Sequence, residues 1–245
     1  AKGEKGEGSK EANQNAESVV QRIAEEGMVL LKNKDNSLPV STSNKIALLG
    51  RGGVDPVYGG SGSGNVDTTT CATPRSSLEK AGFTLDEGVY NYFAGQVGNY
   101  ARQNIVMDNY GGSTFFIGEV DPADYNDGSK FTIDANETAV VFISRCGGEG
   151  LDLSTDLKRD VQTTASQTVL NGSDAKATNA KKEVNNYVDG QHELELSSEE
   201  KGMLDFAKRN YSKVVVVLNE STTMEVGDLK DDDDIDGIIW AGSPG

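Results

Sequence analysis

The chain has 245 residues, of which 36% are hydrophobic and 29 are glycine, and its formal net charge at pH 7 is −16. This length allows one large domain or two small ones, and the charge argues against nucleic acid or an anionic membrane surface as a partner, because both would repel it. No apolar run approaches the roughly 20 residues that span a bilayer, so we predict no membrane insertion within this segment.

Residues that bind transition metals are scarce in this chain. It contains two cysteines, Cys71 and Cys146, one histidine, His192, and no CxxC pair. The sequence therefore predicts no zinc centre, no other metal site and no cofactor. We expect the two cysteines to be free, because isolated cysteines are most often small core or loop residues, and a disulfide between them is the less favoured alternative.

The first residues of the chain are polar, and an apolar pattern follows them. Residues 1–11 are polar and are interpreted as a tail, whereas residues 12–245 are predicted to form one domain. Apolar positions in residues 16–33 broadly follow helical spacing, although Gly27 weakens the pattern. We therefore predict that the domain opens with an amphipathic helix.

Several shorter patterns follow along the chain. The apolar run at 45–50 is predicted to be a strand that ends in glycine. Residues 76–82 have a serine at the start and a glycine at the end, which is typical of a helix, and residues 86–103 form a second helical stretch. Residues 197–210 open with serine and an acidic turn and close with basic residues, as the helix dipole favours.

Three uninterrupted apolar runs, 138–145, 213–219 and 235–242, are predicted to be buried strands. Such runs alternating with helices indicate a parallel sheet that is covered on both faces. The predicted fold is an α/β protein, a three-layer αβα sandwich with a mainly parallel, flavodoxin-like sheet. In open sheets of this kind, function is expected beyond the carboxyl ends of the strands.

Two features do not fit a simple sandwich. Residues 151–197 are rich in polar residues and are predicted to be a long loop, mostly a solvated surface excursion, whose start adjoins Glu149. The last strand, at 235–242, is followed by no helix that could cover it. We therefore expect the chain to be a piece of a larger protein.

Two glycine-rich loops follow strands, so nucleotide binding is the first alternative to consider. The stretch "GGSGSGN" does not satisfy G-x-G-x-x-G, because Asn65 stands three residues after Gly62. It also lacks the lysine of a P-loop and does not open directly into a helix. A flavodoxin-like phosphate loop stays open on the sequence alone, although the negative charge disfavours it.

A carbohydrate site fits these loops better. The stretch "AVVFISRCGGEGLD" holds one carboxylate, Glu149, on a glycine-rich turn after a buried strand. Glycosidic bonds are broken by paired carboxylates, one of which protonates the leaving oxygen, and flanking glycines allow close approach to that bond. Ser61 and Ser63 on the other loop are candidates for hydrogen bonds to sugar hydroxyls. Taken alone, Glu149 is more often a solvated loop carboxylate.

Five segments of the sequence, in order, resemble the α/β sandwich domain of family 3 glycoside hydrolases, the β-glucosidase family. They are "IAEEGMVLLKNKDNSLPV", "KIALLGRGG", "GGSGSGNVD", "FISRCGGEGLD" and "KVVVVLNESTTMEVGDLKDDDDIDGIIWAGSPG". The resemblance runs from about residue 16 to the last residue. It does not cover the tail or residues 151–197.

The resemblance implies roles for individual residues. In this family a TIM-like barrel domain supplies the aspartate nucleophile, and the sandwich supplies the general acid/base, which matches Glu149. The serine of the "GSGSG" loop reaches the sugar pocket and matches Ser63. Arg145 and Asp152 flank the glutamate and are interpreted as supports of its loop, although Asp152 is equally a plain turn residue. The barrel is absent from these 245 residues, which most resemble members whose sandwich precedes the barrel.

The favoured hypothesis is therefore the sandwich domain of a retaining β-glycosidase, inactive alone, with Glu149 as general acid/base. Its expected partners are the family 3 barrel domain and an oligosaccharide or β-glucoside substrate. The alternative is a non-catalytic α/β module that binds carbohydrate or packs against a partner domain. Glu149 discriminates between the two, because a binding module has no need of it. The compartment is left open by the sequence.

Overall fold

A computed structural model describes residues 8–60, 67–100, 102–106, 113–147, 153, 155–156 and 188–243. The helices are α1 (Gly8–Gly27), α2 (Pro74–Lys80), α3 (Glu87–Gln96), α4 (Ser198–Asn210) and α5 (Gly227–Asp231). The strands are β1 (Val29–Asn33), β2 (Ile46–Leu49), β3 (Arg102–Val106), β4 (Ser113–Ile117), β5 (Thr138–Arg145), β6 (Lys213–Glu220) and β7 (Gly237–Trp240).

The main sheet has five strands in the order β1-β7-β6-β5-β2. Strands β2, β5, β6 and β7 run parallel to one another, and β1 pairs antiparallel with β7 at one edge. The apolar runs of β2, β5 and β6 are buried almost throughout, as expected for strands covered on both faces. The predicted α/β fold with a mainly parallel sheet is confirmed.

The two faces of the sheet carry separate hydrophobic clusters, because successive side chains of a strand point to opposite faces. Val214, Val216 and Leu218 of β6 belong to the larger cluster, which includes Phe93 of α3 and Phe206 of α4. The other face carries a smaller cluster around Ile46, Leu48, Val140 and Val215, against which Leu78 of α2 packs. Helices and sheet together form the layers of the predicted sandwich.

Helix α4 begins where the sequence predicts. The Ser197 hydroxyl accepts a hydrogen bond from the Glu200 backbone N–H at 3.2 Å, and the Ser197 backbone N–H donates to the Glu200 carboxylate at 2.8 Å. This reciprocal capping box satisfies two backbone donors at the helix start. It also fixes Glu200 on the first turn, where the carboxylate faces the end of β5.

Two predicted helices have different bounds in the structure. The helix predicted over 16–33 ends at Gly27, and the residues after it form β1, because they pair with β7 along its free edge. Its start at Gly8 lies inside the segment interpreted as a tail. The helix predicted over 86–103 ends at Gln96, and Arg102 already belongs to the β3–β4 hairpin, which the sequence analysis missed.

The end of the predicted long loop is packed rather than solvated. Gln191, Glu193 and Leu196 are buried, and the Gln191 side chain donates to the Leu196 carbonyl at 3.0 Å. The interpretation of 151–197 as a surface excursion is therefore wrong for residues 191–197. These residues lie against the carboxyl ends of the parallel strands because Arg145 binds their backbone carbonyls.

Neither Cys71 nor Cys146 forms a disulfide, as expected. None of the described helices combines the length and the apolar character that crossing a membrane requires.

Candidate functional site

The carboxyl ends of β2, β5, β6 and β7 meet at one edge of the sheet, which is the edge where function is expected. Of the predicted site residues, Arg145 lies here, at the last position of β5. Ser61, Ser63, Glu149 and Asp152 lie outside the described residues. The segments that lead into their two loops are described as far as Gly60 and Gly147.

These two segments lie against each other. The Cys146 thiol contacts the Gly59 carbonyl at 3.7 Å, and the buried side chains of Val57 and Cys146 pack together. Gly59 stands two residues before Ser61, and Cys146 stands three residues before Glu149. The chain therefore enters both glycine-rich loops from the same place.

Asn219 near the end of β6 holds this arrangement. Its Oδ1 accepts from the Val57 N–H at 2.7 Å, and its Nδ2 donates to the carbonyls of Val57 and Gly242, both at 2.8 Å. One buried amide thus ties the loops after β2 and β7 to the end of β6. No role was predicted for Asn219, although a polar residue near the end of an apolar run at this edge is a signal for one.

Arg145 is buried, and five of its hydrogen bonds are to other described residues. Its Nη1 and Nη2 donate to the two carboxylate oxygens of Glu200, and its remaining N–H groups donate to the carbonyls of Ser144, Glu193 and Glu195. Such a bidentate pair fixes both position and orientation. The guanidinium therefore holds α4 and residues 193–195 against the end of β5. Its predicted support of the loop that carries Glu149 stays a prediction.

Glu220 closes β6 directly beside Arg145, its partner in register on β5. The side chain is buried, and its Oε2 has no hydrogen-bond partner among the described residues. Burial raises the pKa of Glu220 to about 7; Arg145 works against this rise, Glu200 adds to it, and the Trp240 side chain opposes it. The sheet edge thus holds a carboxyl group that exchanges its proton near neutral pH.

A second buried pair follows β2. Both carboxylate oxygens of Glu119 accept from the Arg51 backbone N–H, at 3.0 and 2.8 Å, and Oε1 also accepts from the Val120 N–H at 2.7 Å. Burial raises the pKa of Glu119 to about 7, although these backbone hydrogen bonds lower it and Glu200 raises it further. The Arg51 guanidinium donates to the Tyr100 carbonyl and pairs with Asp55.

Two glycines let these segments come close. A Cβ on Gly52 would overlap the Ser144 hydroxyl of β5, and a Cβ on Gly147 would lie 2.8 Å from the Thr222 methyl group. The Gly147 backbone N–H also donates to the Ser221 hydroxyl at 3.0 Å. The start of the loop after β5 is therefore fixed to the chain that leaves β6.

The opposite, amino edge of the sheet carries a different charge cluster. Lys45 pairs with Glu137 at 2.9 Å and with Asp86 at 3.5 Å, beside an open cavity of about 600 Å³. No group of three or more His, Cys, Asp or Glu residues in the described part of the chain could hold a metal ion.

One protein-family model matches most of the chain. The model of the glycosyl hydrolase family 3 C-terminal domain matches residues 28–245. Beta-glucosidase A of Butyrivibrio fibrisolvens is 32% identical over 219 residues, which cover 88% of this chain and 24% of that relative. Thermostable beta-glucosidase B of Acetivibrio thermocellus is 41% identical over 64 residues, 26% of this chain and 8% of the relative.

Solved structures show the same fold. Beta-glucosidase 3B from Thermotoga neapolitana, in complex with glycerol, matches with a TM-score of 0.62 and 22% identity over 95% of this chain and 27% of that chain. A beta-glucosidase from Paenibacillus barengoltzii matches with a TM-score of 0.61 and 18% identity, over 91% of this chain and 21% of its own. The chain therefore spans about a quarter of the length of the first relatives in each comparison.

Proposed function

Since the chain belongs to the glycosyl hydrolase family 3 C-terminal domain family, we propose that it supplies the general acid/base of a retaining β-glucosidase. Glu149 is the proposed acid/base, and Ser61 and Ser63 are the proposed contacts to sugar hydroxyls. The observation that carries this proposal is the contact between Gly59 and Cys146, from which both loops depart. Because both loops start at this contact, we expect the carboxyl group of Glu149 and the hydroxyls of Ser61 and Ser63 to serve the same sugar.

The chemistry requires two carboxylates. A retaining glycosidase uses one as nucleophile and the other first as acid and then as base, with the two about 5 to 5.5 Å apart. Glu149 would be protonated when the leaving group departs and ionised when water attacks. We assign the nucleophile to a barrel domain that is not part of these residues, so the isolated chain should not hydrolyse an aryl β-glucoside above background.

The proposed substrate is an oligosaccharide or a β-glucoside with a terminal β-linked sugar. The relatives named above are beta-glucosidases, which supports this class of bond. The net charge of −16 suits an uncharged substrate better than an anionic one.

The proposed barrel partner docks on an apolar surface at the beginning of the domain. Val20 and Ile23 of α1 are 59% and 65% exposed, and Leu30 of the edge strand β1 is 55% exposed. Large apolar side chains this exposed suit an interaction with a partner. The relatives have about three quarters of their length outside the matched region, which leaves room for such a domain.

Docking is tested in the full-length protein with Val20→Asp and Ile23→Asp combined. We expect activity to fall and proteolysis between the domains to speed up, while Arg22→Ala, an exposed charge on the same helix, leaves both unchanged. Unchanged activity and proteolysis in the double variant would remove α1 from the interface.

The acid/base role is tested with Glu149→Ala in the full-length protein. The loss on a disaccharide should be about 10²- to 10⁴-fold, because its leaving group needs a proton. The loss on a dinitrophenyl glucoside should be much smaller, because this leaving group departs unassisted. Azide should restore part of the activity by attacking the glycosyl-enzyme without a base.

Asp152→Ala is the matched control, since it removes a neighbouring carboxylate from the same loop. It should slow all substrates alike and show no azide effect. If Glu149→Ala also slows all substrates equally and azide does nothing, then Glu149 is a loop carboxylate. If the domain is instead a non-catalytic module, Glu149→Ala should leave turnover by the full-length protein unaffected.

A further inference from the structure

Glu220 is a buried carboxyl group for which the proposed chemistry has no use. It is 2% exposed, and its Oε2 finds no hydrogen-bond donor among the described residues. The groups that act on it come from three elements: Arg145 of β5, Glu200 of α4 and the Trp240 indole of β7. A buried polar atom without a partner is uncommon in folded proteins and calls for an explanation.

The nearby guanidinium does not supply that partner. The five N–H groups of Arg145 donate to Glu200 and to the carbonyls of Ser144, Glu193 and Glu195. The Oε2 atom of Glu220 therefore receives no hydrogen bond from this guanidinium. Glu200 therefore neutralises Arg145, the cation that acts on Glu220 among the described residues, and an ionised Glu220 would be a second buried anion beside it.

The chain links Glu220 directly to the loop after β5. The next residue, Ser221, accepts the hydrogen bond of the Gly147 backbone N–H at 3.0 Å. A Cβ on Gly147 would touch Thr222 at 2.8 Å, so the two segments are in close contact. A displacement of the end of β6 would thus be passed to Gly147, where that loop begins.

We propose that Glu220 is a positioning residue for the loop after β5 and that it acts in its uncharged form, through Ser221 and Gly147. This inference rests on the proposed function, because that loop carries the proposed acid/base. As a carboxylic acid, Glu220 is accommodated in its buried position without a counter-charge. When it ionises, the end of β6 moves to bring the anion to water, and the loop is displaced with it.

The raised pKa of Glu220, about 7, agrees with this interpretation. A proton that Glu220 holds up to about pH 7 would make the loop position depend on pH near neutrality. Glutamine is a neutral mimic of glutamic acid with nearly the same shape, because its amide cannot ionise.

The test compares Glu220→Gln with the wild type in the full-length protein, using a disaccharide substrate across pH 5 to 9. We expect the basic limb of the kcat/KM profile to move to higher pH, by about one unit, because the variant stays neutral. Glu220→Ala should lose about tenfold to a hundredfold at all pH values, because the loop is misplaced.

Glu137→Gln is the matched control. Glu137 is equally buried and also has a raised pKa, but it lies at the amino edge of the sheet. This variant should leave the pH profile unchanged. A direct readout independent of activity is the infrared carboxyl band that is lost between wild type and Glu220→Gln, which should titrate near pH 7.

The outcomes separate the inference from the proposed function. If the basic limb stays in place or moves to lower pH in Glu220→Gln, Glu220 only repels a neighbouring charge or plays no part, and the inference is wrong. The same holds if the infrared band titrates near pH 4.5. If Glu149→Ala behaves like its control while the limb shift and the infrared titration are as expected, the assignment of Glu149 fails and the positioning role of Glu220 stands.

Discussion

The two edges of the parallel sheet both hold buried carboxyl groups, but they treat them differently. At the amino edge, Glu137 pairs with Lys45, whose side chain is 45% exposed and therefore stays solvated. At the carboxyl edge, Glu200 pairs with Arg145, and both side chains are at most 7% exposed. Glu220 lies in the same buried cluster.

The difference shows what each edge does. Taking two charges out of water is costly unless every hydrogen-bonding group is satisfied, which only a planar, five-donor guanidinium achieves here. The amino edge holds an ion pair between a half-exposed lysine and a buried glutamate, which closes the ends of β2 and β5. The carboxyl edge is a rigid polar cluster that fixes where the loops begin.

Replacing Arg145 should show the difference in stability between the two edges most clearly. Arg145→Met leaves Glu200 buried without its partner, and we expect it to lower the free energy of unfolding by about 3 to 5 kcal/mol. Lys45→Met should cost less, about 1 to 2 kcal/mol, because the lysine is half exposed, although the change leaves the buried Glu137 without its partner. Urea unfolding of both variants measures the difference, and equal losses would mean that the two clusters are energetically alike.

The amides near the two edges give the next comparison. Asn219→Ala leaves the Val57 N–H and two carbonyls without partners, so we expect a loss of about 3 kcal/mol. Asn33→Ala, which removes the acceptor of the Leu38 N–H in a half-buried turn, should cost about 1 kcal/mol. Thermal unfolding followed by circular dichroism ranks the two, and a larger effect at Asn33 would contradict this assignment.

The pH dependence of stability should come mainly from the carboxyl edge. The folded chain holds the protons of Glu119 and Glu220 up to about pH 7, whereas the unfolded chain releases them near pH 4.5. Stability from these groups is therefore complete below pH 4.5 and is lost as the pH rises through 7, by up to roughly 3 kcal/mol for each.

Chemical unfolding at several pH values from 5 to 8 tests this direction. Glu220→Gln should remove part of the decline, whereas Glu137→Gln should remove less, since Lys45 offsets the burial of Glu137. Stability that increases from pH 5 to pH 8 would contradict the raised pKa values.

The smallest effect concerns glycines. Gly147→Ala places a methyl group 2.8 Å from Thr222 and should cost about 1 to 2 kcal/mol. Gly95→Ala in α3 meets no atom within 4 Å and should raise stability by about 0.5 kcal/mol, because alanine favours a helix. Melting temperatures of the two variants should move in opposite directions, and a shared sign would show that close approach at Gly147 is not required.

Local patterns predicted those helices and strands for which the local sequence preference and the tertiary contacts favour the same structure. The valine run of β6 and the serine-capped helix α4 were recognised because burial and capping act within a few residues. The segment after Gly27 was assigned to a helix because its apolar spacing suits a helix as well as a strand. Its pairing with β7, some 200 residues later, decided the outcome, and no local pattern records such a partner.

The sequence by itself determined the fold class, the family and the candidate acid/base, because apolar runs and ordered motifs are properties of short stretches. Only the tertiary structure decided that Arg145 pairs with Glu200 and that Asn219 joins the loops after β2 and β7. It also decided that Glu220 lies buried beside Arg145, which is already paired with Glu200. Burial and charge balance depend on residues that are distant in the chain and meet only at the sheet edge.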